Sequence, residues 1–307
     1  MSPVDLNVRL GPLELKNPVL TASGTFGYGR EFAELVDPSR LGGIVVKGIS
    51  LKPRPGNPPP RIVETPCGML NAIGLANVGL DAFLKEKLPW LQTLHTAVIV
   101  NIYGHTLEEY AQVAAGLNGI EGISALEVNI SCPNVARGGM AFGADPDMSA
   151  RVTEAVLKHI DKPVIVKLSP NVTDIGVIAR AVETAGAHAL SLINTLTGMA
   201  IDIETRKPVL GNSSGGLSGP AIRPVALYMV HQVVKAVRIP VIGVGGIVTA
   251  EDALQFLMAG ASAVEVGTGN FVYPKATLEM VDGLTRFCEK KGIPAITEII
   301  GAAQQDC

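Results

Sequence analysis

The sequence predicts an α/β fold in which eight strand–helix units close into a single (β/α)8, or TIM, barrel spanning residues 1–307. Three observations predict it. Eight short β-rich runs are almost continuously apolar, as strands buried on both faces of a parallel sheet must be. Helical patterns alternate with them. Polar residues gather at the C-terminal ends of the runs, the end at which barrel loops form a common mouth.

The first run is Val19–Thr21, followed by the glycine-rich ASGTFGYG at 22–29 and a short helical pattern over Arg30–Leu35. Gly43–Val46 comes next; prolines at 53, 55, 58, 59 and 60 then predict an irregular stretch before a helix over Leu80–Lys87. Thr96–Ile102 leads into a helix over Leu107–Leu117, and Ala125–Asn129 into one over Met148–Ile160, where Val152, Ala155, Val156 and Ile160 fall on one stripe. Pro163–Leu168 precedes a helix over Ile175–Ala185, and Ala189–Ile193 precedes one over Ala221–Val237. Pro240–Gly243 leads to Ala250–Met258, where Thr249 is placed to cap, Glu251 and Asp252 put acids at the positive end, and Gly260 suits the position past the C-terminus. Ala263–Val266 and a helix over Lys275–Lys290 complete the set.

Strand starts are separated by 24, 53, 29, 38, 26, 51 and 23 residues, against about 30 for a minimal strand–helix unit. Insertions are therefore expected after strands two, four and six. A doubly wound sheet is the other arrangement such alternation allows, but GTFGYG lacks the GxGxxG spacing of its first turn.

Composition narrows the function. With 47% hydrophobic and 17% charged residues the chain can fill a large core, and disorder is excluded. Aromatic residues are only 4%, so aliphatic side chains do the filling. Against 25 basic residues stand 28 acidic ones, a balance that does not suggest a nucleic-acid or anionic-membrane binder. The opening MSPVDLNVRLG lacks a basic region followed by an apolar core, so a cytoplasmic location is expected. Cys67, Cys132, Cys288 and Cys307 form no CxxC pair and the five histidines lack ligand spacing, so neither a metal nor an iron–sulfur cluster is expected in this chain.

Lys47, Asn101, Asn129, Lys167 and Asn194 end strands two to six, and five polar groups at one end of five apolar strands point to a polar ligand. After strand seven comes Gly243-Val-Gly-Gly246, and after strand eight Gly267-Thr-Gly269. Paired glycine turns in this register let backbone N–H groups approach an anion, and barrels often hold a phosphate between these two loops. A phosphate anchor beside a mouth of Lys and Asn suits flavin mononucleotide (FMN), with Lys167 answering the charge of the reduced ring; a phosphosugar would use the same anchor. Cys132, three residues past Asn129 in NISCPN, stands over the mouth as candidate nucleophile or general base. Pro133 restrains that loop, and the glycines at 138 and 139 would let it close.

The ordered set ASGTFGYG (22–29), NAIGLANVG (71–79), NISCPN (129–134), Lys167, INT (193–195), GLSGP (216–220), GVGGI (243–247) and GTG (267–269) resembles the dihydroorotate dehydrogenase family over nearly the whole chain. The resemblance implies FMN at Ser23, Lys47, Gly48, Asn101, Asn129, Lys167, Ile193, Gly219, Gly245, Gly246, Gly267 and Thr268. It implies the substrate at Lys47, Asn71, Ala72, Ile73, Gly74, Leu75, Asn129, Asn134, Asn194 and Thr195, and catalysis by Cys132 and Lys167. Cysteine rather than serine as base resembles the soluble class 1 enzymes. SCPNVxxGGxxFG and TFGYG resemble their NAD-linked subclass, class 1B. That subclass implies a partner subunit carrying FAD and a [2Fe-2S] cluster, in a heterotetramer of two catalytic and two electron-transfer chains.

Other readings stay open at this point. They are a fumarate-linked class 1A homodimer, a flavin barrel acting on another dihydropyrimidine or on tRNA, a phosphosugar isomerase or aldolase, and a non-catalytic metabolite-binding barrel.

Overall fold

The computed structural model describes residues 3–131 and 142–304. Eight parallel strands form the closed barrel: Val19–Thr21, Gly43–Val45, Ala97–Ile102, Ala125–Asn129, Val164–Lys167, Ala189–Leu192, Val241–Val244 and Ala263–Val266, here strands one to eight. Each pairs with its neighbours in sequence order, and strand eight returns to strand one through Val264 beside Val19 and Val266 beside Thr21. The closed parallel barrel rules out the doubly wound sheet.

Helices Leu107–Leu117, Pro146–Leu157, Ile175–Thr184, Arg223–Ala236, Ala250–Met258 and Ala276–Lys291 lie outside. Their apolar faces meet the outward residues of the strands, so one core of Val, Ile, Leu and Ala runs through barrel and jacket. Pro146–Leu157 buries Val152 and Val156 as the stripe requires. Ala250–Met258 carries a full capping box: Thr249 accepts from the Asp252 amide, and the Asp252 carboxylate accepts from the Thr249 amide.

Two helical expectations need correction. Over Arg30–Leu35 only the 3-10 turn Arg30–Phe32 forms, because Gly29 enters it at φ 85° and Pro38 begins another short turn soon after. The helix over Leu80–Lys87 continues to Leu91 through a π-helical turn, Phe83–Lys87. The wider turn passes Pro89, whose missing N–H breaks the regular ladder, into the first turn of the next segment.

The insertions after strands two and six combine. Ile62–Thr65 and Gly68–Asn71 come from the first, Leu196–Gly198 and Gly215–Ser218 from the second, and they form one antiparallel four-stranded sheet. This cap sheet packs on a small core of its own, Leu70, Ala72 and Leu210. Most of the insertion after strand four lies outside the described residues; its described end is the 3-10 turn Phe142–Ala144.

At the opposite end lies a hairpin, Val8–Leu10 with Leu13–Leu15, that buries Val8, Leu10, Leu13 and Leu15. Gly11 in its turn sits where a Cβ would come 3.0 Å from the carbonyl oxygen of His188, just before strand six. No helix among the described residues is long and apolar enough to cross a membrane.

Candidate active site

The C-terminal ends of the strands and the cap sheet enclose a cavity of about 440 Å³. Its lining takes in Ser23, Lys47, Gly48, Asn101, Asn129, Lys167, Ile193, Gly219, Gly245, Gly246, Gly267 and Thr268, and also Asn71, Ala72, Ile73, Gly74, Leu75, Asn194 and Thr195. Every described residue that the sequence nominated therefore faces one space. Cys132 and Asn134 lie outside the described residues, as does Cys307. Cys67 is exposed in the cap-sheet turn, and Cys288 is buried in the last helix.

One end of the cavity is built of glycine. Gly219, Gly245 and Gly246 have φ of 92°, 132° and 72°, in the region side chains avoid. A Cβ on Gly246 would come 2.8 Å from the Gly219 carbonyl oxygen, so the turn after strand seven and the end of the cap sheet touch backbone to backbone. Asp252 secures the turn: its carboxylate accepts from the amides of Val248 and Thr249, at 3.0 and 3.1 Å, and pairs with Arg223. Thr268 donates to Ser218 at 2.8 Å, joining the loop after strand eight to the cap sheet.

Another part of the lining is built of amides. Asn194 donates to the Asn129 side-chain oxygen at 3.3 Å and to Ser131 at 3.1 Å, and accepts from the Thr195 amide at 2.8 Å. Asn129 also accepts from the Ser131 amide at 3.1 Å. Its oxygen is thus committed, and its NH2 is the end open to a ligand. The Asn71–Leu75 segment is held from behind: Tyr103 donates to the Leu75 carbonyl at 2.7 Å and accepts from Asn77 at 2.6 Å. Burial, reinforced by the charge of Arg61, lowers the Lys47 ammonium below the ordinary lysine value.

A family model described as dihydroorotate dehydrogenase matches residues 5–288. The chain belongs to the dihydroorotate dehydrogenase family. Similar proteins include one of Desulforamulus reducens, 60% identical over 300 residues, and one of Pelobacter propionicus, 59% identical over 300 residues. A third, of Thermodesulfovibrio yellowstonii, is 57% identical over 300 residues. In each comparison 98% of this chain and 99% of the relative are covered, and each relative is named dihydroorotate dehydrogenase B (NAD(+)), catalytic subunit.

Lys167, which the sequence assigns to answer the charge of a reduced ring, lines the cavity and is also held from within. Its Nζ lies 2.8 Å from Glu265 and 3.3 Å from both oxygens of Glu127, all three side chains buried. Burial alone would lower the Lys167 ammonium, but the two carboxyl groups outweigh it and raise it. The signal was present in the sequence, since Glu127 and Glu265 are the lone acids inside the runs ALEVN and AVEV. Tyr103, Ser131, Ser218 and Phe271 also line the cavity and were missed. Tyr103 and Ser131 each lie just past the end of a barrel strand, which was the available clue.

Proposed function

We propose that this chain is the catalytic subunit of a cytoplasmic, NAD-linked dihydroorotate dehydrogenase that oxidises dihydroorotate to orotate in pyrimidine biosynthesis. The observation that carries the reading is the gathering of every described nominated residue around one cavity, whose lining holds both a glycine cradle and a set of amides. The residues fit FMN: Gly219, Gly245, Gly246, Gly267 and Thr268 would hold its phosphate, and Ser23, Lys47, Gly48, Asn101, Asn129, Lys167 and Ile193 its ring system. Bound FMN supplies the hydride-accepting chemistry that side chains lack.

The chain's own residues do the rest. Lys47 meets the substrate carboxylate with its charge. Asn71, Asn129, Asn134, Asn194 and Thr195 offer neutral donors and acceptors to the ring carbonyls and N–H groups, and the backbone of Ala72–Leu75 closes the edge. Cys132, as thiolate, removes the proton from the ring carbon beside a carbonyl, and hydride leaves the adjacent carbon, so that a C=C bond forms. A thiol of ordinary pKa, about 8.5, serves as such a base near neutral pH. A partner subunit bearing FAD and a [2Fe-2S] cluster, in an assembly of two catalytic and two electron-transfer chains, would supply the onward route for electrons to NAD. The relatives' designation as catalytic subunits supports a partner.

Mixing the FMN-loaded protein anaerobically with dihydroorotate tests the reading. Rapid bleaching of the flavin absorbance is expected with dihydroorotate and not with dihydrouracil; no bleaching would overturn it. Cys132→Ser should retain FMN while slowing this half-reaction by about 100-fold or more, the usual worth of a positioned base. An unchanged rate would remove the cysteine from its role.

A further inference from the structure

Glu127, Lys167 and Glu265 are the charged side chains on the barrel strands among the described residues, and they meet under the cavity floor. Their formal charges do not cancel: two carboxyl groups share one ammonium, and each of the two is fully enclosed. A second buried carboxylate without its own cation carries a desolvation cost that a proton removes.

Hydrogen bonding divides the two acids. Glu127 accepts from Asn101 at 2.6 Å through one oxygen and from Ser191 at 2.7 Å through the other, and Lys167 lies 3.3 Å from each. Every direction around it is filled by a donor, as suits an anion. Glu265 accepts from Lys167 through Oε2 at 2.8 Å, and its Oε1 is buried with no partner. An anionic oxygen in that position would be orphaned, whereas a proton on the acid removes the charge that would need a partner there.

We propose that the two acids are positioning residues of unequal kind: Glu127 is the fixed anion that anchors Lys167, and Glu265 is a neutral carboxylic acid. Burial first, then the charge of Glu127, pushes the Glu265 carboxyl well above its ordinary range. Burial also opposes ionisation of Glu127, but Lys167 and the bonds from Glu265, Ser191 and Asn101 outweigh it and hold that carboxyl low.

The consequence for binding rests on the FMN reading above. With both acids ionised, the floor would set a net negative charge beneath an anionic mononucleotide. With Glu265 neutral the cluster adds no net charge, and the Lys167 ammonium stays fixed at the floor.

Infrared spectroscopy of the cofactor-free protein at neutral pH tests the protonation state without activity. A carbonyl-stretch band of a protonated carboxyl is expected, moving on carbon-13 glutamate labelling of the wild-type protein and vanishing in Glu265→Gln. In Glu127→Gln the band should also vanish, because Glu265 then becomes the sole counter-ion of Lys167. Glu265→Gln, which keeps the shape of the neutral acid, should bind FMN within about threefold of wild type.

A wild-type spectrum with no such band overturns the proposal without requiring any variant to fold. So does a band that survives Glu265→Gln, or a loss of FMN affinity beyond tenfold in that variant. Failure of the wild-type protein to bind FMN would defeat the cofactor reading instead, leaving the infrared result to judge the acids.

Discussion

Replacing Asp252 by alanine tests how the glycine end of the cavity is held. The substitution removes the acceptor for the Val248 and Thr249 amides, at 3.0 and 3.1 Å, and the partner of Arg223. A hydrogen bond to a charged group contributes about 1.5–3 kcal/mol when well buried; these amides are partly buried, so about 1–1.5 kcal/mol each is the expected scale. The Arg223 side chain is 34% exposed, which limits the ion pair to under about 1 kcal/mol. The sum is roughly 2–4 kcal/mol for Asp252→Ala. Asp252→Asn, which keeps one acceptor oxygen, should lose about half as much. Urea denaturation followed by circular dichroism reads both differences. An Asp252→Ala protein within about 0.5 kcal/mol of wild type, the scatter of ordinary surface changes, would refute the view that this carboxylate braces the turn.

Other expected outcomes follow from the same geometry. A Cβ on the buried Gly243 would come 2.4 Å from the ring of Phe256, which is itself fully enclosed, so Gly243→Ala should cost about 1–3 kcal/mol in thermal or chemical unfolding. Lys47→Met should weaken orotate binding by about 10- to 100-fold, the worth of one charge-assisted bond. Because the Lys47 ammonium titrates below the ordinary lysine value, wild-type affinity for orotate should fall on the alkaline side earlier than an exposed lysine would allow; calorimetric titration across pH would show it, and Lys47→Met should lack that limb. The raised Glu265 carboxyl means the folded protein holds a proton that the unfolded chain releases above its ordinary 4.5. Stability should therefore decline as pH rises from 4.5 toward the folded value, by up to about 1.4 kcal/mol per unit, and Glu265→Gln should flatten that slope in urea midpoints.

The barrel was legible because parallel strands buried on both faces write themselves as apolar runs; Val19–Thr21, Ala125–Asn129 and Ala263–Val266 form with the expected limits. Lys47, Asn101, Asn129, Lys167 and Asn194 were legible because polar side chains at the ends of such runs have one place to go; cavity residues such as Ser23 and Asn71–Leu75 were named through the resemblance to the family. The cap sheet was not, because Gly68–Asn71 and Gly215–Ser218 are short, glycine-bearing strands that find each other across more than 140 residues, and no local pattern records that pairing. The N-terminal hairpin did leave a mark, the alternation of Val8, Leu10, Leu13 and Leu15 around Gly11-Pro12, and it shows that hairpin turns can hide beside stronger barrel signals. The acids at 127 and 265 were masked by the runs around them: read as apolar strands, they lost the charge that sets the state of Lys167.

The way the cap sheet is stitched also bears on synthesis of the protein. A nascent chain that has emerged as far as residue 71 possesses half a roof, and the strand that completes it, Gly215–Ser218, leaves the ribosome only after six staves of the barrel have been made. The glycine turn at 245–246 comes later still. The ligand chamber is thus closed only once the turns after strands seven and eight have been made, and any small molecule it holds must arrive after that point.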